Sequence, residues 1–134
     1  MALEKTFDAA EVNGVLPEVK RLAGQIAELS TAVPELQDRL RIGEYKRATG
    51  RSSNDEVEAL EATLATLRKC EADLQQALAT LEGMGVRLKD PHQGLVDFLA
   101  YRDGELVELC WKLGEDRVAY WHGIGEGFRG RKAL

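Results

Sequence analysis

The chain has 134 residues and a formal net charge of −5, enough length for one domain with its own hydrophobic core. Hydrophobic residues make up 44% of the chain, which is ordinary for a folded protein and excludes an intrinsically disordered one. Residues 1–85 carry 10 basic and 15 acidic side chains, whereas residues 86–134 carry 8 of each. This acidic balance argues against nucleic acid as a partner.

Nothing in the sequence indicates a membrane or an oxidising compartment. The first residues lack the apolar run of a signal peptide, and no segment reaches the roughly 18 apolar residues of a membrane span. Cys70 and Cys110 lie 40 positions apart in segments of different type, which does not suggest a disulfide framework. We therefore expect a cytoplasmic protein with no membrane partner.

The first predicted element is a long helix over about residues 8–41. Its apolar residues recur at spacings of three and four, the heptad pattern of a helix packed along another helix. They are Val12, Val15, Val19, Leu22, Ile26, Leu29, Val33, Leu36 and Leu40. Thr6 is the expected N-cap of its first turn. We expect kinks near Pro17 and Pro34, because a proline inside a helix removes a backbone hydrogen bond.

The second predicted helix covers about residues 55–82, with Ser53, Asn54 or Asp55 as its cap. Residues 39–54 contain two glycines and are expected to form the bend between the helices. The two helices would then run antiparallel, so residues 1–85 are predicted to form a coiled-coil-like helical hairpin.

A small sheet is predicted for residues 86–134, together with the C-terminal tail. After residue 85 the hydrophobic period changes from 3.6 to 2, and an Asp-Gly turn signal stands at residues 103–104. The candidate strands are residues 86–89, 95–101, 106–113 and 117–122. The predicted fold class is α+β: a long antiparallel helical hairpin followed by an antiparallel β-meander of three or four strands.

Three polar residues of the predicted sheet form a candidate site: Asp97, Cys110 and His122. Alternation along the strands allows all three side chains to converge on one face. A carboxylate, a thiolate and an imidazole suit a divalent transition metal such as zinc or iron, with Asp90 or His92 as a possible further ligand. They also suit a cysteine nucleophile with a histidine base. The sequence has no paired metal-ligand motif, so a buried cysteine and a hydrogen-bonded histidine of purely structural role stay open.

Two groups of basic residues could bind an anion. Arg131 lies in a glycine-rich tail, where it could receive an anionic group of a ligand, or the tail could simply lock the fold. A basic patch is expected at the hairpin bend, just before the N-terminus of the second helix, where a phosphate could bind. It consists of Arg39, Arg41, Lys46, Arg47 and Arg51. The alternative is a solvated loop, and no glycine-rich phosphate loop supports nucleotide hydrolysis.

Several motifs are typical of one known family. They are TFDAAEVNGVLPEVK near the start, GVRLKD at residues 85–90, GLVDF at 94–98, LCWKLGE at 109–115 and WHGIGEGFRGR at 121–131. In this combination the chain resembles an uncharacterised bacterial family catalogued as domain of unknown function 2203. The resemblance implies a small, soluble bacterial protein of the cytoplasm, and it brings no established activity.

The sequence therefore leaves two classes of function open. The long heptad pattern favours an interaction or oligomerisation module, whose helical hairpin binds a second copy of the chain as a dimer or a helical protein partner. The alternative is a small metal- or ligand-binding protein, or an enzyme, with its site around Asp97, Cys110, His122 and Arg131.

Overall fold

The computed structural model describes residues 3–134 and has two long helices followed by a five-stranded antiparallel sheet. The helices are α1 (Ala9–Ala48) and α2 (Asn54–Gly83). The strands are β1 (Arg87–Asp90), β2 (Leu95–Arg102), β3 (Glu105–Lys112), β4 (Tyr120–Gly123) and β5 (Lys132–Ala133), with a 3-10 turn at Phe128–Gly130. The prediction of an α+β fold is confirmed.

Helix α1 begins after Asp8, so the prediction of Thr6 as its cap is wrong. The Asp8 carboxylate accepts a hydrogen bond from the Glu11 backbone N–H (2.8 Å), and the Glu11 carboxylate accepts one in return from the Asp8 N–H (3.3 Å). This reciprocal capping box satisfies two backbone donors at once, which a lone threonine does not. The helix then continues through Pro17 and Pro34, both exposed, where water can reach the carbonyl groups that lose a backbone partner.

The bend between the helices lies at residues 49–53, later than the sequence pattern indicates. Gly43 belongs to α1, and a Cβ atom on it would lie only 2.5 Å from Leu60 Cδ1 of α2. Its lack of a side chain therefore allows the helices to approach each other. Helix α2 starts after Ser53, which forms a second capping box with Glu56.

The core lies between the hairpin and the inner face of the sheet. Phe98 and Trp111 are fully buried there, and the Phe98 ring meets Phe7 edge to face at 5.3 Å between centroids. The other buried members of this cluster are Val12, Leu16, Val19, Leu22, Ala23, Ile26, Ala77, Leu81, Val86 and Val96. The sheet thus packs against the open end of the hairpin, which the first half of α1 and the end of α2 form.

The sheet is a meander in the order β1-β2-β3-β4-β5, so the expected three or four strands fall short by at least one. The missed strand is β5, in which Lys132 and Ala133 pair with Trp121 and Tyr120 of β4. Two paired residues are too short for an alternating pattern to reveal. The tail between β4 and β5 consequently folds back beside the outer face of the sheet, the face away from the helices.

Within the described part of the chain, no helix combines the length and the apolar character that crossing a membrane requires.

Candidate functional site

The fold brings Asp97, Cys110 and His122 together on the outer face of the sheet. Asp97 of β2 pairs directly with Cys110 of β3, and His122 of β4 pairs with Glu108, two residues before Cys110. Cross-strand partners and residues two apart along a strand share one face, so all these side chains point the same way.

The strand register decides this arrangement. The structure pairs Cys110 with Tyr120 and Leu109 with Trp121. A one-residue shift of register moves every side chain of a strand to the other face. With Trp121 opposite Cys110, His122 would point into the helices, so the observed register is what lets His122 join the site.

The three side chains are buried and their polar atoms are close. The exposed fractions are 2% for Asp97 and 1% each for Cys110 and His122. One ligand atom from each residue lies within 4.8 Å of the other two, and His122 Nε2 lies 3.1 Å from Asp97 Oδ1. Among residues 3–134, this is the one group of three or more such side chains that close together.

Both ring nitrogens of His122 have a polar partner. Its Nδ1 lies 3.0 Å from the backbone carbonyl oxygen of Gly123, and because that oxygen can only accept, Nδ1 carries a hydrogen and donates. Its Nε2 faces the Asp97 carboxylate oxygen, which also accepts. A proton or a cation must therefore lie between Nε2 and Oδ1. Metal-binding histidines are held in this way, with one ring nitrogen donating to a carbonyl and the other free for the ion.

The Cys110 thiol is held in its protonated form by its surroundings. Burial, together with the negative charge of Asp97, raises the pKa of Cys110 to about 12, although the nearby Arg131 acts in the opposite direction. The thiolate is the reactive form of cysteine, so Cys110 beside Asp97 and His122 is a poor nucleophile at neutral pH. A bound divalent cation has the opposite effect, because a coordinated thiol loses its proton.

Two charged residues border the cluster. The Lys89 ammonium lies 4.0 Å from Asp97 Oδ2 and 3.8 Å from Glu108 Oε2. Glu108 is mostly buried, whereas Lys89 is about half exposed. Lys89 is thus a cation shared by the two carboxylates at the edge of the site.

A cavity of about 180 Å³ opens beside Asp97 and His122. The remaining residues that line it are Lys89, Leu95, Glu108, Gly125, Gly127 and Phe128. Gly125 and Gly127 have φ values of +85° and +71°, which L-residues with a Cβ rarely adopt. These glycines let the tail turn back over the site and leave backbone without side chains along the cavity wall.

Arg131 holds this tail against the rest of the protein. Its guanidinium stacks on the rings of Tyr120 (4.1 Å) and Phe128 (4.7 Å), and Nη2 donates to Glu115 Oε1 (2.6 Å) and to the Cys110 carbonyl oxygen (3.3 Å). Burial lowers the pKa of Arg131, but the contacts with Glu115 and Cys110 together outweigh it and the net change is a rise. The Arg131 side chain is 12% exposed and paired within the protein, which favours the alternative that the tail locks the fold.

The stacking of Arg131 has a cost. Its Nε is buried and has no hydrogen-bond partner among the described residues. An unsatisfied buried donor costs about 1–3 kcal/mol, and the ion pair with Glu115 and the two aromatic contacts offset it.

Asp90 and His92, the other candidate ligands, lie outside the cluster. Asp90 Oδ1 accepts hydrogen bonds from the backbone N–H groups of His92 (2.9 Å) and Gln93 (3.2 Å), so it organises the turn after β1. The His92 side chain is exposed. Sequence reasoning missed Lys89 as a neighbour of the site, whereas the alternation that places Cys110 on the outer face also places Glu108 there.

The basic patch at the hairpin bend is partly neutralised within the chain. Arg41 pairs with Asp38 (3.4 Å) and Lys46 with Glu56 (3.8 Å). The backbone at the start of α2 is engaged by the capping box of Ser53 and Glu56, which places a carboxylate where a phosphate would bind. These contacts favour a solvated loop over a phosphate site at the hairpin bend. The other members, Arg39, Arg47 and Arg51, are exposed.

No curated protein and no solved structure matches this chain significantly. A family model described as "Uncharacterized conserved protein (DUF2203)" matches residues 5–134, nearly the whole chain, including both helices and every strand of the sheet. The chain therefore belongs to this family, catalogued as domain of unknown function 2203.

Proposed function

We propose that this protein binds a divalent transition metal ion, for which zinc is the best match, through Asp97, Cys110 and His122. The observation that carries the proposal is the convergence of one carboxylate, one thiol and one imidazole, all buried, with ligand atoms within 4.8 Å of one another. Thiolate, imidazole and carboxylate are the three side-chain groups that bind zinc in proteins.

The distances support an ion of this size. Zinc–ligand bonds of about 2.0–2.3 Å place tetrahedral ligand atoms roughly 3.3–3.8 Å apart. His122 Nε2 and Asp97 Oδ1 are 3.1 Å apart, and the largest separation in the group is below 4.8 Å. Adjustments of about 1 Å or less at these side chains would give the ion its bond lengths.

The hydrogen bonds of His122 also support a metal site. Nδ1 of His122 donates to Gly123, which leaves Nε2 as the nitrogen that binds the ion. Catalysis by a cysteine nucleophile is less well supported, because the raised pKa of Cys110 keeps the thiol protonated in the absence of a cation.

Cobalt(II) titration of protein treated with a chelator and dialysed would test the proposal. Cobalt takes zinc sites, and a thiolate ligand adds a charge-transfer band in the near ultraviolet. One equivalent of cobalt should produce that band in the wild-type protein and in Cys70→Ala, and Cys110→Ala should lack it. A titration without the band in wild-type protein that remains folded by circular dichroism would refute the site.

A second candidate function is self-association through the hairpin, with a second copy of the chain as the partner. Residues 27–48 of α1 and 54–73 of α2 lie beyond the cluster that packs on the sheet, and the buried apolar residues there are Val33 and Leu67. Leu36, Leu40, Leu60 and Leu64 stay half-buried in the hairpin, and Ile42 is exposed. Two hairpins forming a four-helix bundle would cover these residues.

Light scattering across a range of concentrations would test self-association. A dimer in the wild-type protein that becomes a monomer in Leu36→Lys would support it, with Leu3→Lys, exposed before α1, as the control. A monomer at every concentration would overturn it.

A further inference from the structure

We propose that the metal ion in this site keeps one coordination position open to the 180 Å³ cavity, where it takes a small ligand with a compact oxygen-donor head group such as a carboxylate or hydroxamate. This inference rests on the proposed metal site. It assigns the protein a reactive or ligand-binding ion instead of a purely structural one.

The number of ligands points to an open position. Structural zinc sites have four protein ligands, whereas sites that act on ligands have three plus an exchangeable position. Asp97, Cys110 and His122 are three, and among residues 3–134 no further histidine, cysteine or carboxylate joins their group. Glu108, which lies on the same face opposite His122, is outside this group and is paired with Lys89 at 3.8 Å.

The position of the cavity gives a small ligand access to the open coordination position. Asp97 and His122 contribute to its wall directly, so a molecule in the cavity reaches the ion without passing through packed side chains. The backbone at Gly125 and Gly127 forms part of the wall without a Cβ, which leaves space beside His122.

The walls of the cavity define the ligand class. Typical pockets for drug-sized ligands have volumes of about 300–1,000 Å³, so 180 Å³ suits a small molecule or the end of a larger one. Lys89 supplies a cation near the ion for an anionic oxygen donor, and Leu95 with Phe128 supplies an apolar wall for a short hydrocarbon body. A compact acid or its hydroxamate combines these features.

The test uses cobalt-loaded protein and acetohydroxamate as the probe. Leu95→Phe narrows the cavity, and Leu99→Phe is its matched control, because Leu99 lies four residues further along β2 on the same face and does not line this cavity. Acetohydroxamate should change the visible cobalt spectrum of the wild-type protein and of Leu99→Phe. Its affinity should fall by about tenfold or more in Leu95→Phe, because the larger ring occupies the space of the ligand.

The outcomes separate the two proposals. If cobalt binds with its thiolate band but acetohydroxamate leaves the spectrum unchanged, the open position is refuted and the metal site stands. If acetohydroxamate binds equally to the wild-type protein and Leu95→Phe, the ligand does not use this cavity and the inference fails. If cobalt does not bind at all, both proposals fail.

Discussion

His122 Nε2 lies 3.1 Å from Asp97 Oδ1, although the two residues belong to strands separated by β3. Neighbouring strands are about 4.8 Å apart, so β2 and β4 are roughly 9.6 Å apart and both side chains must lean over the strand between them. Cys110 lies on that strand, on the same face and in register with Asp97. The small thiol of Cys110 therefore lies beside the point where the carboxylate and the imidazole meet.

This geometry predicts the effect of side-chain size at position 110. Cys110→Ala should leave the fold intact and destabilise it by about 1 kcal/mol, because it removes one small buried group. Cys110→Leu should cost about 1–3 kcal/mol or more through overpacking, since the longer side chain must displace Asp97 or His122. Chemical denaturation of both variants would measure the difference, and equal stability would contradict the packing described.

The reactivity of Cys110 should depend on pH in an unusual range. Its pKa is raised from the ordinary value of 9.0 to about 12, so alkylation in chelator-treated protein should stay slow up to about pH 10. The folded protein holds the thiol proton more tightly than the unfolded chain does. Its contribution to the free energy of unfolding is therefore fully present below pH 9 and is lost as the pH rises toward 12.

Mass spectrometry of iodoacetamide-treated protein would measure this reactivity, because it reports the two cysteines separately. Cys70 is half-buried on α2 and provides the internal comparison. Modification of Cys110 at pH 7.5 as fast as that of Cys70 would contradict the burial and the raised pKa.

Arg131 should matter more for stability than its position in the C-terminal tail suggests. Arg131→Ala removes the ion pair with Glu115 and the contacts with Tyr120 and Phe128, with an expected loss of about 1–3 kcal/mol. Arg129→Ala, in the same tail and exposed, should change stability by less than about 0.5 kcal/mol. Thermal unfolding of the two variants would show whether the tail is fastened as described; equal melting temperatures would refute it.

Two glycines of α1 should respond differently to alanine. At Gly43 a Cβ would meet Leu60 Cδ1 at 2.5 Å, so the Leu60 side chain must turn aside and the gain in helix propensity is offset. At Gly14 a Cβ meets nothing within 4 Å, and Gly14→Ala should stabilise the helix by the full amount of about 0.5–1 kcal/mol. Urea unfolding would measure both changes, and an equal gain in stability from the two variants would contradict the close approach of Gly43 to Leu60.

Residue periodicity predicts much of this fold and part of the site. Spacings of three and four predict the hairpin, and the alternation of period two places Asp97 and Cys110 on one face of the sheet. Alternation within a strand does not define how two strands are paired, because the irregular connection from β3 to β4 sets the register. That register brings Tyr120 opposite Cys110 and His122 onto the outer face.

The features that sequence reasoning missed depend on tertiary contacts. Gly43 was interpreted as part of the bend, yet its role is contact with Leu60 on the other helix. The burial of Arg131 depends on Glu115 and Tyr120, which lie 16 and 11 positions earlier in the chain. No local pattern encodes such pairings, since each requires the turn geometry of the whole tail.

The central claim is that Asp97, Cys110 and His122 hold one metal ion, and the most direct test is the stoichiometry of zinc after equilibrium dialysis, measured by elemental analysis. Wild-type protein and His92→Ala, whose imidazole lies outside the cluster, should bind one zinc per chain. A folded His122→Ala should bind none, because two remaining ligands are too few for a stable site. Absence of zinc from the folded wild-type protein, or one zinc per chain in a folded His122→Ala, would contradict the account.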